Sequence, residues 1–404
     1  MDRPALRGAI ARELETNLLP FWRERSLDHR RGGFIGEMAN DGTVREDAQR
    51  GLILNARLLW TFSALYRELG DERDLALARR ALEALETAFH DREHGGYFWR
   101  TDAEGRPLDT SKKVYGQAFC IYALAELHRA TGDAAAFDAA TALLGLVDRH
   151  ARDPRFGGWI EARARAWSEA DDLRLSDKDM DVAKSMNTHL HLLEAVTNLH
   201  RARPSAATAE RLAELLAIFD RHILGPDPLD RHLRPFFDER WDVCSDSYTF
   251  GHDIEAAWLL SEAAEVLGDP PALEKATGWA IDLARTALAQ GLGPDGGLAY
   301  EGRAGEVTNR DHDWWCQAEA VIGFWHAFSL TGEPAFAEAS ARSWSFIDRF
   351  LVDRVHGDWH WRVKADGEVD RAEPKVSEWK CPYHSVRMCL EMMRRLADAG
   401  GAAP

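Results

Sequence analysis

The chain has 404 residues, 45% hydrophobic and 29% charged, with 50 Lys and Arg against 67 Asp and Glu and a formal net charge of −17. That acidic balance argues against nucleic acid or an anionic membrane surface as the main partner. No stretch approaches the roughly eighteen apolar residues of a membrane span, and the opening Met1-Asp2-Arg3-Pro4-Ala5 has no signal-type apolar core, so a cytoplasmic protein is expected.

Apolar residues at helical spacing run through 5–18, 49–69, 74–89, 114–130, 134–150, 181–202, 206–223, 252–267, 271–288, 313–330, 335–350 and 377–396, about twelve helices in six pairs. Gly70-Asp71, Gly132-Asp133, Gly268-Asp269-Pro270 and Gly332-Glu333-Pro334 split four of the pairs. Glycine there suits a left-handed helix C-cap, and Asp or Pro restarts the chain as the next helix. Between pairs, a glycine-aromatic turn recurs at roughly sixty-residue intervals: Gly32-Gly33-Phe34, Gly95-Gly96-Tyr97, Gly157-Gly158-Trp159, Gly296-Gly297-Leu298 and Gly357-Asp358-Trp359. A degenerate copy falls between His232 and Trp241, where Arg234-Pro235-Phe236-Phe237 replaces the glycines. One supersecondary unit used six times either stacks as an open solenoid or closes on itself. Neither end carries a polar capping repeat: the first helix has Leu18, Leu19, Phe21 and Trp22, the last Val386, Met388, Cys389 and Leu390. Closure follows, and the expected fold is an all-α (α/α)6 barrel with short β-hairpins at one mouth, a single catalytic domain over 1–404. The five cysteines are odd in number without CxxC spacing and read as reduced thiols. Monomer and homodimer are both compatible with this reading.

Ten of the fifteen tryptophans are placed on or beside the hairpins: Trp99, Trp159, Trp167, Trp241, Trp359, Trp361 and Trp379 in them, Trp258, Trp314 and Trp315 in the first turns of the helices that leave them. Hairpins of a toroid emerge at one end, so these indoles are expected to converge on one mouth. Loop packing accounts for any single one. As a set they suit a sugar, whose C–H faces stack on aromatic planes while its hydroxyls need polar partners.

His252 and Glu255, three apart, share a helix face near Trp258; His384 lies just after Trp379 with Arg387 on its face; His191 stands four after Asn187; Trp315 and Glu319 are also four apart. These sets are assigned to the odd-numbered helices of the count, as one concentric ring. Arg57 sits inside an apolar run, where an unpaired guanidinium is costly and calls for an anionic or sugar-oxygen partner. A metal site at His189, His191, His252, Glu255 and His384 is disfavoured, since His189 and His191 point differently and no HExxH element occurs. Neither a phosphate-binding glycine loop nor a nucleophile elbow is present. Glycoside hydrolysis by two carboxylates and proton transfer by two histidines at a carbon beside a carbonyl compete, with a glycan-binding module as the non-enzymatic reading. The acids lie inside the mouth with the histidines, which favours proton transfer.

The runs Asn187-Thr188-His189-Leu190-His191-Leu192-Leu193-Glu194-Ala195, Gly251-His252-Asp253-Ile254-Glu255, Trp314-Trp315-Cys316-Gln317-Ala318-Glu319-Ala320 and Lys380-Cys381-Pro382-Tyr383-His384 resemble the N-acylglucosamine 2-epimerase superfamily, and within it the cellobiose 2-epimerases, over essentially the whole chain. The resemblance implies an (α/α)6 barrel and a cofactor-independent sugar 2-epimerase that opens the pyranose and moves the C2 proton through a cis-enediolate, without metal or nucleotide. It implies His252 and His384 as the acid/base pair, His191 as the residue assisting ring opening, and Arg57 as stabiliser of the enediolate oxygens. Tyr115, Asp179, Asn187, Glu255, Trp258, Trp315, Glu319 and Trp379 fall where the family contacts or supports the sugar. The expected substrate is a disaccharide of the cellobiose or lactose type, with mannose epimerisation or isomerisation as the alternative.

Overall fold

The computed structural model describes residues 2–398; residue 1 and residues 399–404, part of the expected 1–404 barrel, lie outside the described residues. Helices α1 (Arg3–Glu13), α3 (Glu72–Ala84), α5 (Ala134–His150), α7 (Ala206–Ile218), α9 (Pro270–Thr286) and α11 (Pro334–Phe346) form the outer layer. The inner ring is α2 (Leu52–Leu69), α4 (Val114–Thr131), α6 (Met186–Ala202), α8 (Phe250–Leu267), α10 (Trp314–Thr331) and α12 (Tyr383–Asp398). The two layers follow from composition. In α2 every residue from Leu52 to Leu65 is buried, as expected of a helix walled on all sides, whereas α3 buries only Asp74, Leu75, Ala78 and Ala81 along one stripe. Each inner helix packs on the next, and α12 packs on α2, which closes the (α/α)6 barrel.

The ring is thus made by the even-numbered helices, not the odd-numbered ones assigned: His191, His252, Trp315 and His384 fall in the sixth, eighth, tenth and twelfth of the twelve ranges themselves. The outer helix α1 packs on α12. Side chains also tie the N-terminal segment to the hairpin after α11: Trp359 Nε1 donates to Glu13 Oε1 (2.8 Å) and Trp22 Nε1 to Asp358 Oδ1 (3.1 Å). Gly70, Gly132, Gly268 and Gly332 end α2, α4, α8 and α10 with φ of 71°, 75°, 71° and 70°, as their positions predict. The stretches 181–185 and 377–382 are not helical, and α12 starts only after Pro382.

All six hairpins form at one end, each closed by a bridge: Leu27 to Phe34, His90 to Tyr97, Arg152 to Trp159, Leu224 to Leu233, Leu292 to Leu298 and Val352 to Trp359. In the degenerate copy the bridging residue is Leu233, so Phe236–Phe237 is free to pair with Lys184–Ser185 before α6. An aspartate opens four of the turns, its Oδ1 accepting from two backbone N–H groups, and a cation from the strand ahead of an inner helix meets its other oxygen. These pairs are Arg50–Asp28 (2.5 Å), Lys112–Asp91 (3.0 Å), Lys184–Asp153 (2.7 Å) and, from a bend and not a strand, Lys375–Asp353 (2.8 Å). The fourth residue of α4, α6, α8 and α10 then clamps the hairpin backbone. Gln117 holds Tyr97, His189 holds Trp159, Asp253 holds Leu233 and Gln317 holds Leu298. His189 spends both ring nitrogens here, Nδ1 on Ser185 O and Nε2 on Trp159 N, which removes it from any ligand set.

Where α8 crosses α10, a Cβ on Gly323 would come within 2.5 Å of the Ile254 carbonyl oxygen. Backbone cannot swing aside as a side chain can. Gly323→Ala is therefore expected to force the helices apart and cost about 1–3 kcal/mol, read as a lower urea midpoint. An unchanged midpoint would show that the ring tolerates the displacement.

Candidate active site

Because all inner helices begin at the hairpin end, side chains from their first two turns converge there. The second residues of α4, α6, α10 and α12 are Tyr115, Asn187, Trp315 and His384; the sixth residues of α2, α6 and α8 are Arg57, His191 and Glu255; His252 is the third residue of α8. All line one cavity of about 470 Å³. Trp99, Trp314, Trp361, Trp379 and the segment 172–179, including Asp179, complete its mouth. A larger groove of about 730 Å³ runs between α1 and the hairpin after α11, but polar groups there are already engaged, Glu13 by Trp359 and Asn17 and Arg354 by Asp348.

Each of the three histidines is held through Nδ1. His384 meets Glu319 Oε1 (2.7 Å), His191 meets Glu194 Oε2 (3.0 Å), and His252 meets the Thr249 hydroxyl (2.5 Å). Opposite an ionised carboxylate an imidazole must donate, so His384 and His191 keep Nδ1–H and leave Nε2 as a free lone pair. The Thr249 hydroxyl can donate or accept, which leaves His252 able to hold its proton on either nitrogen. Burial pushes His384 and His252 down to about 3, which keeps both rings neutral, and lowers His191 as well. The rings of His252 and His384 both lie against Trp315, with centroids 4.7 and 5.7 Å away.

Arg57 donates to the Tyr115 hydroxyl (2.9 Å) and lies over the Phe119 ring (4.3 Å). Its Nε has no hydrogen-bond partner among the described residues, and neither has Asn187 Oδ1. A buried donor and acceptor left open on a cavity wall are fitted to a polar ligand.

Beneath the histidines lies a second layer that sequence reasoning largely missed. Arg387 donates from Nη2 to Glu255 Oε1 (2.6 Å) and Glu319 Oε1 (2.7 Å), and from Nη1 to Glu194 Oε1. Tyr383 donates to the same Glu194 oxygen (2.5 Å), and Trp258 Nε1 to Glu319 Oε2 (3.0 Å). A continuous buried network thus joins His191 to His384 through one guanidinium, and His252 stands outside it. Burial raises Glu319, but Arg387 and His384 outweigh it and hold the carboxyl low. Trp258 and Glu319, expected among the sugar-contacting groups, do not line the cavity. Trp258 is a further turn down α8, and Glu319 is covered by His384 and Arg387. Glu194 and Thr249 were findable, each lying three residues from a histidine on its own helix or at its start, as Arg387 lies three from His384.

The mouth corrects the aromatic expectation too. Of the ten tryptophans assigned to it, Trp99, Trp314, Trp315, Trp361 and Trp379 line the cavity. Trp159, Trp167, Trp241 and Trp359 pack hairpins, their indoles bonded to Asp148, His94 O, Phe156 O and Glu13. Asp179 accepts from Ser176 N (2.9 Å) and Oγ (2.7 Å), tying its own turn at the rim. Glu255, Glu319 and His384 bring three ligand-type atoms within 4.8 Å of one another. The positive charge between the two carboxylates is already supplied by the Arg387 guanidinium.

A barrel whose mouth holds three carboxylate- or hydroxyl-backed histidines, a guanidinium and edge-to-face indoles fits a carbohydrate-converting enzyme. The N-acylglucosamine 2-epimerase (GlcNAc 2-epimerase) family model matches residues 33–387. The chain is 42% identical over 390 residues to the cellobiose 2-epimerase of Bacteroides fragilis, spanning 96% of this chain and 98% of that protein. Among solved structures, the cellobiose 2-epimerase of Bacillus thermoamylovorans superposes with a TM-score of 0.91 at 35% identity, over 97% of this chain and all of that one. A sugar epimerase from a ruminal bacterium also gives 0.91, at 34% identity over 96% and 98% of the two chains. The chain belongs to the N-acylglucosamine 2-epimerase family and is a carbohydrate epimerase, an isomerase. No helix among the described residues is long and apolar enough to cross a membrane.

Proposed function

We propose that the protein epimerises the reducing-end aldose of a neutral disaccharide at C2, interconverting gluco- or galacto-type and manno-type ends. The observation that carries this reading is the pair His252 and His384: two neutral imidazoles from different helices, both against Trp315, in a pocket that also offers the open Arg57 guanidinium. In the open-chain sugar, Nε2 of one histidine takes the C2 proton, and the electrons pass into the C1 carbonyl to give a cis-enediolate. Arg57, with His191, stabilises the charge gathering on O1 and O2, and stabilisation of that developing charge is what lowers the barrier most in such a step. Nε2–H of the other histidine returns a proton to the opposite face of C2, which inverts the centre. Glu319 supports His384 as it becomes cationic, and Thr249 lets His252 supply or accept the proton. The similarity to cellobiose 2-epimerases and the indole-rich mouth around Trp99 and Trp379 support a second sugar ring beyond the reacting one. The chain's own residues supply each of these steps, so no metal or nucleotide is invoked.

Cellobiose incubated with the protein in deuterated buffer containing a chelator is expected to give a second reducing-end residue of manno configuration carrying deuterium at C2, read by NMR. Release of free glucose without deuterium would make the protein a hydrolase, and loss of turnover with chelator would restore the metal reading. Conversion of mannose but not cellobiose would assign the pocket to a monosaccharide.

A further inference from the structure

The buried network sets a charge problem. Three carboxylates, Glu194, Glu255 and Glu319, touch a single guanidinium, Arg387, and all four side chains are at most 3% exposed. Among the described residues Arg57 makes no ion pair with any of them. Three carboxylates on one guanidinium leave two surplus negative charges; isolated buried charge is costly, and a proton on one carboxylate halves that surplus while hydrogen bonds satisfy the oxygens of the others. Hydrogen bonding shows which one. Glu194 accepts on both oxygens, from His191 on one and from Tyr383 and Arg387 on the other. Glu319 likewise accepts from Trp258 on Oε2 and from His384 and Arg387 on Oε1. Glu255 accepts only on Oε1, its Oε2 has no partner among the described residues, and the residue lines the cavity.

We propose that Glu255 is a neutral carboxylic acid that carries its proton on Oε2 and donates a hydrogen bond from it to an oxygen of the bound sugar. The inference rests on the sugar-epimerase reading only for the identity of the acceptor. It gives Glu255 a role distinct from its two neighbours: a donor aimed at the ligand, where Glu194 and Glu319 are acceptors aimed at histidines. The groups facing it are Glu319 and Cys316 from α10, Glu194 and His191 from α6, Arg387, Tyr383 and His384 from α12, Arg57 from α2, Tyr115 from α4 and His252 on its own helix. Burial, then the Glu319 charge, raise the Glu255 carboxyl above the ordinary range, against the pull of Arg387. Ionisation on raising pH through that elevated value would remove the donor and add a third negative charge, so kcat/KM is expected to fall on the alkaline side.

Two measurements test this. Neutron diffraction of the deuterated wild-type protein at neutral pH is expected to place a deuteron on Glu255 Oε2 and none on either carboxyl oxygen of Glu194 or Glu319. A bare Glu255 overturns the proposal whatever the enzyme's substrate proves to be. In kinetics, Glu255→Gln keeps a neutral donor and should hold kcat/KM within about tenfold while losing the alkaline fall, whereas Glu255→Met should lose about a hundredfold or more. An alkaline fall that persists in Glu255→Gln, or equal damage in both variants, sinks the donor role. The neutron result does not depend on either variant folding or on which sugar is turned over, so its failure is separable from failure of the disaccharide assay.

Discussion

His384→Asn is expected to lower kcat for epimerisation by about 10²–10⁴, the range for loss of a general acid–base group, while leaving sugar affinity within about tenfold. Asparagine can still donate to Glu319 and keep the Arg387 network paired, so the loss reports the missing Nε2 and not a collapsed site. His252→Asn should cost a similar factor for the opposite proton. The two variants therefore separate in isotope exchange: one should wash deuterium into the gluco-type sugar and the other into the manno-type sugar, each without inversion. Identical exchange preferences, or full epimerase activity in either variant, would replace the two-base scheme with a single base and a rotating carbonyl. A wild type that binds sugars and turns over none would leave a glycan-binding module.

Arg387→Met is expected to be the most destabilising single change in the barrel, at about 3–5 kcal/mol, because it leaves two ionised carboxylates buried without their cation. Glu194 and Glu319 are held low in the wild type with Arg387 among the causes. Without the guanidinium their values rise above those of the unfolded chain, so the folded variant binds more protons than the unfolded one. Stability then falls as pH increases, and the deficit should deepen between about pH 5 and pH 8. Urea unfolding of variant and wild type at both ends of that range checks the sign. Arg387→Lys restores charge without the two-pronged reach to three carboxylates and should recover only part of the loss. A variant within about 1 kcal/mol of wild type at both pH values would mean the network is not what holds α6, α8, α10 and α12 together at this depth.

Much of the architecture was legible because it is periodic. Twelve helices, the glycine C-caps at 70, 132, 268 and 332, and the recurrent hairpins each follow from local rules acting on local sequence: helical spacing of apolar residues, left-handed conformation at glycine, a turn opened where two glycines meet an aromatic. Buried side chains in both terminal helices were enough to predict closure. The histidines, Arg57, Asn187, Glu255 and Trp315 were legible from helical spacing, since the second and sixth residues of an inner helix share the face turned to the axis once the ring closes, whereas Tyr115 came only from the family resemblance. The packing of α1 on α12 was not legible, because it joins segments about 370 residues apart and no local signal marks it.

The sequence by itself thus determined the repeat, the closed ring and most of the helix residues that reach the pocket. Only the tertiary structure decided how those residues differ in state. Trp159 and Trp315 look alike in a hairpin-rich chain, yet one caps a turn through Asp148 and the other lies against two histidines. Glu255 and Glu319 are the sixth residues of successive inner helices and Glu194 the ninth of the one before, yet Arg387 and the histidines divide the three into two acceptors and one oxygen left open. Protonation and hydrogen-bond direction depend on partners from other helices at distances of about 3 Å, where electrostatic energies in a buried site change steeply. Spacing along one helix carries no information about what stands opposite it.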